Sequence, residues 1–208
     1  MNNHHGISPE VEAARQPEHE IHPQFLTRWS PRSFSDQEVT EETLLSLFEA
    51  ARWAPSGSNL QPWRFIVART AEERASFHSF IVPANREWCE KAPVLTLLIS
   101  HKLGHNDALN PAHAFDAGTA WGYLALEAAN QGLITHAMGG FERQQAREAL
   151  QIPDDYELHA VIAIGYRGPK EALAEKFQAR ELPSGRRQLS ESLFAGRFGQ
   201  PYTLDANQ

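Results

Sequence analysis

The sequence predicts one layered domain that mixes helices with a few buried strands. Three observations carry that expectation. The 208 residues suit a single unit, at ~100–200 residues per domain, and no Ser/Gly linker or internal repeat divides them. Amphipathic stretches at helical spacing alternate with short apolar runs, of which 94–99 and 160–164 have the length of buried strands. Nothing approaches the ~20 consecutive apolar residues that span hydrocarbon, so no membrane segment is expected.

Residues 1–20 are polar and lack the apolar core of a secretion signal, so they read as a disordered or loosely docked arm, with His4 and His5 in a solvated tail. Ordered structure is expected from 21–25. A helix follows over 40–53: Thr40 can cap it, Glu41 and Glu42 suit its positive end, and Leu44, Leu45, Leu47, Phe48 and Ala51 form its apolar stripe. Pro55 lies just beyond. A strand over 64–69 precedes a helix over 71–80, and 94–100 reads as a strand buried on both faces. The longest helix covers 115–131, with Ala117, Trp121, Leu124, Ala125 and Ala128 on one stripe and Gly132 as its stop. A short apolar stretch leads to Gly139 and Gly140, then come a helix over 142–150 and a third strand over 159–166. Residues 168–208 show little periodicity; such a segment either wanders over its own surface or embraces a partner subunit.

Charge narrows the function. Nineteen Lys+Arg against 26 Asp+Glu leave a net charge of −7, which excludes a generally basic nucleic-acid surface. Any anionic ligand must be held by a local group of cations. The single cysteine, Cys89, excludes an internal disulfide or Cys-based zinc site and reads as a small packed residue. There is no G-x-S-x-G, no H-E-x-x-H and no P-loop lysine. His101 and His105 are spaced i,i+4, but Gly104 argues against a metal-binding helix, and His78, His113, His136 and His159 read as scattered surface histidines. Glu87, Glu90 and Asp116 show no pairing that would give them acid–base work.

Four segments could carry chemistry. Arg28-Trp29-Ser30-Pro31-Arg32 sets two guanidiniums around a hydroxyl, donors suited to phosphate and polarised carbonyls. Residues 54–63 hold Pro55, Ser56, Asn59 and Gln61; the two amides present both donor and acceptor, which suits the edge of a heteroaromatic ring. Met138-Gly139-Gly140 allows backbone to approach a ligand closely. Ser184-Gly185-Arg186-Arg187 is a basic pair in an acidic chain. Taken singly, these also read as a solvated loop, a polar connection, a tight turn and a solvated tail.

In this order, over residues 22–199, they resemble the FMN-dependent nitroreductase family: an early R-x-S-x-R, an A-P-S-x-x-N-x-Q-P-W segment, a glycine turn after the long helix, and a late basic element. The resemblance implies an α+β fold with a mixed central β-sheet flanked by helices, built as an intertwined homodimer with two FMN sites at the subunit interface. Residues 21–208 would form its single domain, with 168–208 a C-terminal extension wrapping the partner. Arg28, Ser30 and Arg186 match FMN phosphate positions, with Trp29 between them where a polar or basic residue is commoner. Arg32 matches a basic position at the flavin N1/O2 edge, where a guanidinium stabilises the charge of reduced flavin. Pro55, Ser56 and Asn59 match residues lining the ring and ribityl chain, often from the opposite subunit, with Gln61 beside the pyrimidine edge. Met138, Gly139 and Gly140 match the turn on the N5 side. Ser184 stands where some members have lysine, Gln188 at a usual proline, and Gly139 where some carry glutamate. The implied activity is cytoplasmic and ping-pong: NAD(P)H reduces FMN, which then reduces a planar acceptor such as a nitroaromatic or quinone. Flavin fragmentation, dehalogenation, dehydrogenation and non-catalytic flavin binding are the alternatives. Segments 80–88 and 102–111 would line the substrate face.

Overall fold

The computed structural model describes residues 7–202, so His4 and His5 lie outside it. Its elements run α1 (Pro9–Ala14), α2 (Gln24–Thr27), α3 (Glu41–Arg52), β1 (Trp63–Ala68), α4 (Ala71–Phe80), α5 (Pro83–Cys89), β2 (Val94–His101), α6 (His113–Asn130), β3 (Leu133–Met138), α7 (Arg143–Ala149), β4 (Tyr156–Tyr166) and α8 (Glu175–Gln178). The α3 and α4 helices start where their caps dictate. The Thr40 hydroxyl accepts the Thr43 N–H at 3.2 Å, and Thr70 forms a reciprocal capping box with Glu73.

The strands lie in the order β1-β2-β4-β3. Every neighbouring pair is antiparallel, so the mixed sheet expected above is corrected for the strands of this chain. The reason is topological. The α6 crossover joins β2 to β3, which point the same way, but β4 returns between them and pairs with both. The class remains α+β.

Alternation along β2 splits the core in two. Leu95, Leu97 and Ile99 join Phe77, Phe80, Trp88 and Ala146 under α4, α5 and α7, whereas Val94 and Leu98 join Leu47, Ala51, Leu124 and Ala128 under α3 and α6. Burial on both faces is what the unbroken apolar run required. Beside the short helices α1, α2 and α8, two elements within the layered core were not anticipated. The β3 edge strand is masked in sequence by Thr135 and His136, and α5 is a short helix opened by Pro83. Phe80 and Trp88 are core residues, which removes them from the expected substrate face.

The N-terminal arm carries structure that the sequence did not announce. The α1 helix docks through buried Val11, and Arg15 bonds three carbonyls behind it, so built structure begins well before residue 21. Residues 184–202 are exposed, with Phe198 at 91%. No helix among the described residues is long and apolar enough to cross a membrane.

Candidate functional site

Arg28 closes α2 in an extended conformation, which turns its half-buried side chain towards Ser30; Nη1 donates to Ser30 Oγ at 3.4 Å. Arg186 arrives from the C-terminal segment, its Nη1 donating to the Gly185 carbonyl at 2.8 Å. Burial, and then the charge of Arg186, push the Arg28 pKa below its ordinary value. Buried Arg15 belongs to the same group. Burial lowers its pKa first, then the charges of Arg186 and Arg28. None of Arg15, Arg28 and Arg186 forms an ion pair with a carboxylate among the described residues. Three permanent cations therefore meet without compensation, a local positive potential inside an acidic chain.

Arg32 is set by its backbone. Its N–H donates to both oxygens of Glu181, at 3.0 and 2.9 Å, and the Ser33 N–H donates to Glu181 Oε1 at 3.0 Å. Glu181 is only 1% exposed. The Arg32 guanidinium lies 5.9 Å from the Trp88 ring centre, and burial followed by Arg180 lowers its pKa against the opposing Glu181 charge. Between the two arginines, the Pro31 carbonyl accepts from His136 Nδ1 at 3.0 Å, which fixes that tautomer. Burial above all holds the His136 pKa down at about 4. The Trp29 ring carries the Arg167 guanidinium at 4.9 Å, and Arg167 makes a bidentate pair with Glu10 of α1. That face of Trp29 is thereby occupied.

The 55–61 loop is exposed and strained. Ser58, Asn59 and Gln61 have φ of 50°, 55° and 47°, left-handed values that cost non-glycine residues energy and persist only when the surroundings impose them. Here the Gly57 N–H donates to buried Asp116 of α6 at 3.1 Å, and the Gln61 N–H to Ser56 Oγ at 3.0 Å. Gln61 Nε2 also reaches the Asn59 carbonyl at 2.9 Å. Pro55, Asn59 and Gln61 stay open to solvent and Ser56 is half-buried.

At the end of β3 the Met138 side chain is buried in the core, so only its backbone is left to face a ligand at the turn. Gly139 is exposed, and a Cβ there would have open space. Gly140 is closed in, because a Cβ would lie 2.5 Å from Asn85 Nδ2, whose amide donates to the Gly140 carbonyl at 3.2 Å. The N–H groups of both glycines find no acceptor among the described residues, leaving two donors at the turn.

The structure thus brings Arg28, Ser30 and Arg186 together and sets Arg32 over Trp88. It holds Pro55, Ser56, Asn59 and Gln61 in a separate cluster at the start of α6; no hydrogen bond or ion pair among the described residues links the two. Arg15, Glu181, His136 and Asp116 were missed as site-shaping residues. A cavity of about 810 Å³ flanks Arg15 and Arg186, floored by Ile21, Phe25 and Leu26. A larger one, about 1120 Å³, opens beside Phe34, Arg69 and Glu73 and contains none of the site residues.

The histidines also depart from a scattered surface set. Ser100, fully buried, lies 2.7 Å from His113 Nδ1 and 2.6 Å from His159 Nε2, and His101 Nε2 lies 2.8 Å from Asp155. Cys89 is buried, and burial pushes its thiol up to about 12.

Comparison with known proteins agrees with this geometry. The Nitroreductase family model matches residues 26–87 and 77–166. An NADH dehydrogenase of Thermus thermophilus is 32% identical over 174 residues, covering 68% of this chain and 83% of that one. A solved structure described as an oxidoreductase containing FMN superposes with a TM-score of 0.86 at 39% identity, over 89% of this chain and 96% of the other. The fold extends to an iodotyrosine deiodinase bound to FMN and 3-iodo-L-tyrosine, at 20% identity and a TM-score of 0.60, over 85% and 97% of the two chains. The class is an α+β oxidoreductase scaffold. The chain belongs to the nitroreductase family.

Proposed function

We propose that the protein is a homodimeric FMN-dependent oxidoreductase that takes reducing equivalents from NAD(P)H and passes them to a planar acceptor such as a nitroaromatic or quinone. The observation that carries this reading is the uncompensated arginine group: Arg28 and Arg186, with Ser30 as a hydroxyl donor, fit a phosphate dianion that an acidic chain would otherwise repel. When bound, FMN supplies hydride transfer at its N5 position. The protein's part is to hold and polarise. With FMN bound, Arg32 would supply positive charge for the N1/O2 edge, and the fixed backbone of residues 32–33 keeps that charge in place. The two N–H groups at Gly139 and Gly140 would be the donors for the flavin's N5 side.

No hydrogen bond or ion pair among the described residues ties the 55–61 loop to the arginine group, which leaves the loop's exposed groups available to a site completed by a second copy. In a homodimer, Pro55, Ser56, Asn59 and Gln61 of one protomer would face the arginines of its partner. Large apolar side chains left exposed on α3, at the start of α6 and along the C-terminal segment support the same assembly: Leu45 at 59%, Phe115 at 79% and Phe198 at 91%. The C-terminal extension then embraces the partner protomer.

A visible spectrum of the purified protein, before and after anaerobic NAD(P)H, tests cofactor and half-reaction together. The expected result is a yellow protein whose flavin absorbance bleaches. A colourless protein that takes up no FMN overturns the reading. A flavin-loaded protein that NAD(P)H leaves oxidised points instead to divergent flavin chemistry, of which dehalogenation is one kind.

A further inference from the structure

Arg15 stands outside every motif that marks the candidate site, yet it ties the segment that carries Arg28 to the segment that carries Arg186. It follows α1 directly, in extended conformation, and is 9% exposed. Its Nε donates to the Ser184 carbonyl at 3.1 Å. Its Nη1 donates to the Leu26 carbonyl at 2.6 Å and to the Arg28 carbonyl at 2.7 Å. One side chain thus grips the backbone of Arg28 itself and the backbone two residues before Arg186.

Those two segments are far apart in the chain and share no backbone pairing in the sheet. Arg186 itself sits on an exposed segment, bonded to the Ser184 hydroxyl and to the Ser184 and Gly185 carbonyls beside it, with Leu189 N–H donating to Glu18 three residues further on. The arm that carries Arg15 is itself pinned twice. Val11 is buried, and Glu10 pairs with the Arg167 that stacks on Trp29, the neighbour of Arg28.

We propose that Arg15 is a positioning residue of the phosphate cradle: it sets the separation of Arg28 and Arg186 by gripping both of their backbones, and adds its own charge to theirs. The inference rests on the cofactor reading above and deepens it. The ligand chemistry is a phosphate monoester, the end that distinguishes FMN from riboflavin. All three of Arg15's bonds go to neutral carbonyls, so its charge stays available to an anion. A guanidinium suits the task because its planar fork donates in several directions at once, which a lysine ammonium on a flexible stem does not reproduce.

The test is titration of the flavin-stripped, full-length protein with FMN and with riboflavin, in wild type, Arg15→Ala, Arg15→Lys and the Arg28→Ala/Arg186→Ala pair. Wild type is expected to prefer FMN, and the double variant to lose that preference. Arg15→Ala should weaken FMN by about tenfold or more while leaving riboflavin within about twofold, since displaced arginines and a lost positive charge act only on the phosphate. Arg15→Lys should restore only part of the loss. A thermal melt of each apoprotein reports on folding separately. Equal weakening of both flavins by Arg15→Ala would make Arg15 a general structural tie and overturn the proposal. So would an unchanged FMN affinity, or full rescue by lysine, which would reduce its role to charge alone. A wild type that fails to distinguish FMN from riboflavin overturns the phosphate assignment of Arg28 and Arg186, and this inference with it.

Discussion

Replacing Glu181 should do more damage than its place on an irregular C-terminal stretch implies. Its carboxylate is almost fully buried and accepts two backbone N–H groups, those of Arg32 and Ser33, through three contacts of 2.9–3.0 Å. Ser33 is 2% exposed, so its N–H has no ready water to replace the carboxylate. A hydrogen bond to a charged group contributes about 1.5–3 kcal/mol, so Glu181→Ala, which strands both donors, should cost about 3–5 kcal/mol. Glu181→Gln keeps one acceptor oxygen but turns an NH2 towards a donor, and should cost about 1–3 kcal/mol. Urea unfolding at pH 7 and fixed protein concentration reads both, with Glu175→Ala as the exposed control expected within about 0.5 kcal/mol of wild type. FMN retention should fall alongside, because the same backbone carries Arg32. Should both Glu181 variants unfold with the control, the carboxylate does not hold this loop and the account of Arg32 is wrong.

Three further outcomes are expected. His136 is held near 4 against an ordinary 6.5, so between those values the unfolded chain binds one proton more than the folded chain; His136's contribution is complete above pH 6.5 and is lost on acidification at up to about 1.4 kcal/mol per pH unit. His136→Asn should flatten the stability–pH curve there, and identical slopes for variant and wild type would refute the assignment. Cys89, its thiol raised to about 12, should resist a disulfide-exchange reagent at pH 8 until denaturant is added; prompt labelling of native protein contradicts its burial. Gly140→Ala drives a Cβ to 2.5 Å from Asn85 Nδ2 and should cost about 1–3 kcal/mol in urea unfolding, while Gly139→Ala should leave stability within about 0.5 kcal/mol; equal costs would show that the turn relaxes freely.

What could be read from the sequence was what local chemistry decides. The helix expected over 40–53 forms as Glu41–Arg52, and the one expected over 71–80 as Ala71–Phe80, because each carries its own cap and first-turn acids. The strand expected over 94–100 extends one residue further to His101. By contrast β3 has an interrupted pattern and takes its identity from pairing with β4, a partner more than twenty residues later. The sheet's direction was misread for the same reason: strand order is set by which strand returns between which, and no residue encodes it. At the site, Arg28, Ser30 and Arg186 were visible as motif residues, but their convergence was visible only through the order of four motifs.

The residues that shape the site went unread because their partners are main-chain groups, which every residue carries alike. Glu181 bonds N–H groups 149 and 148 residues away, His136 a carbonyl 105 away, Asp116 an N–H 59 away, and Arg15 a carbonyl 169 away. This choice of partner has an electrostatic consequence. Had Arg15 and Arg28 been fixed by carboxylates, the ion pairs would have cancelled the charge that an anion needs. Fixed by carbonyls and a hydroxyl, they remain whole cations in a half-buried place, at the cost of desolvation that depresses both. Glu181, the nearest buried acid to the loop, directs its oxygens at the backbone of Arg32 and Ser33. A chain of net charge −7 keeps a positive site by turning these arginines and its buried carboxylates, Glu181 and Asp116, to the main chain.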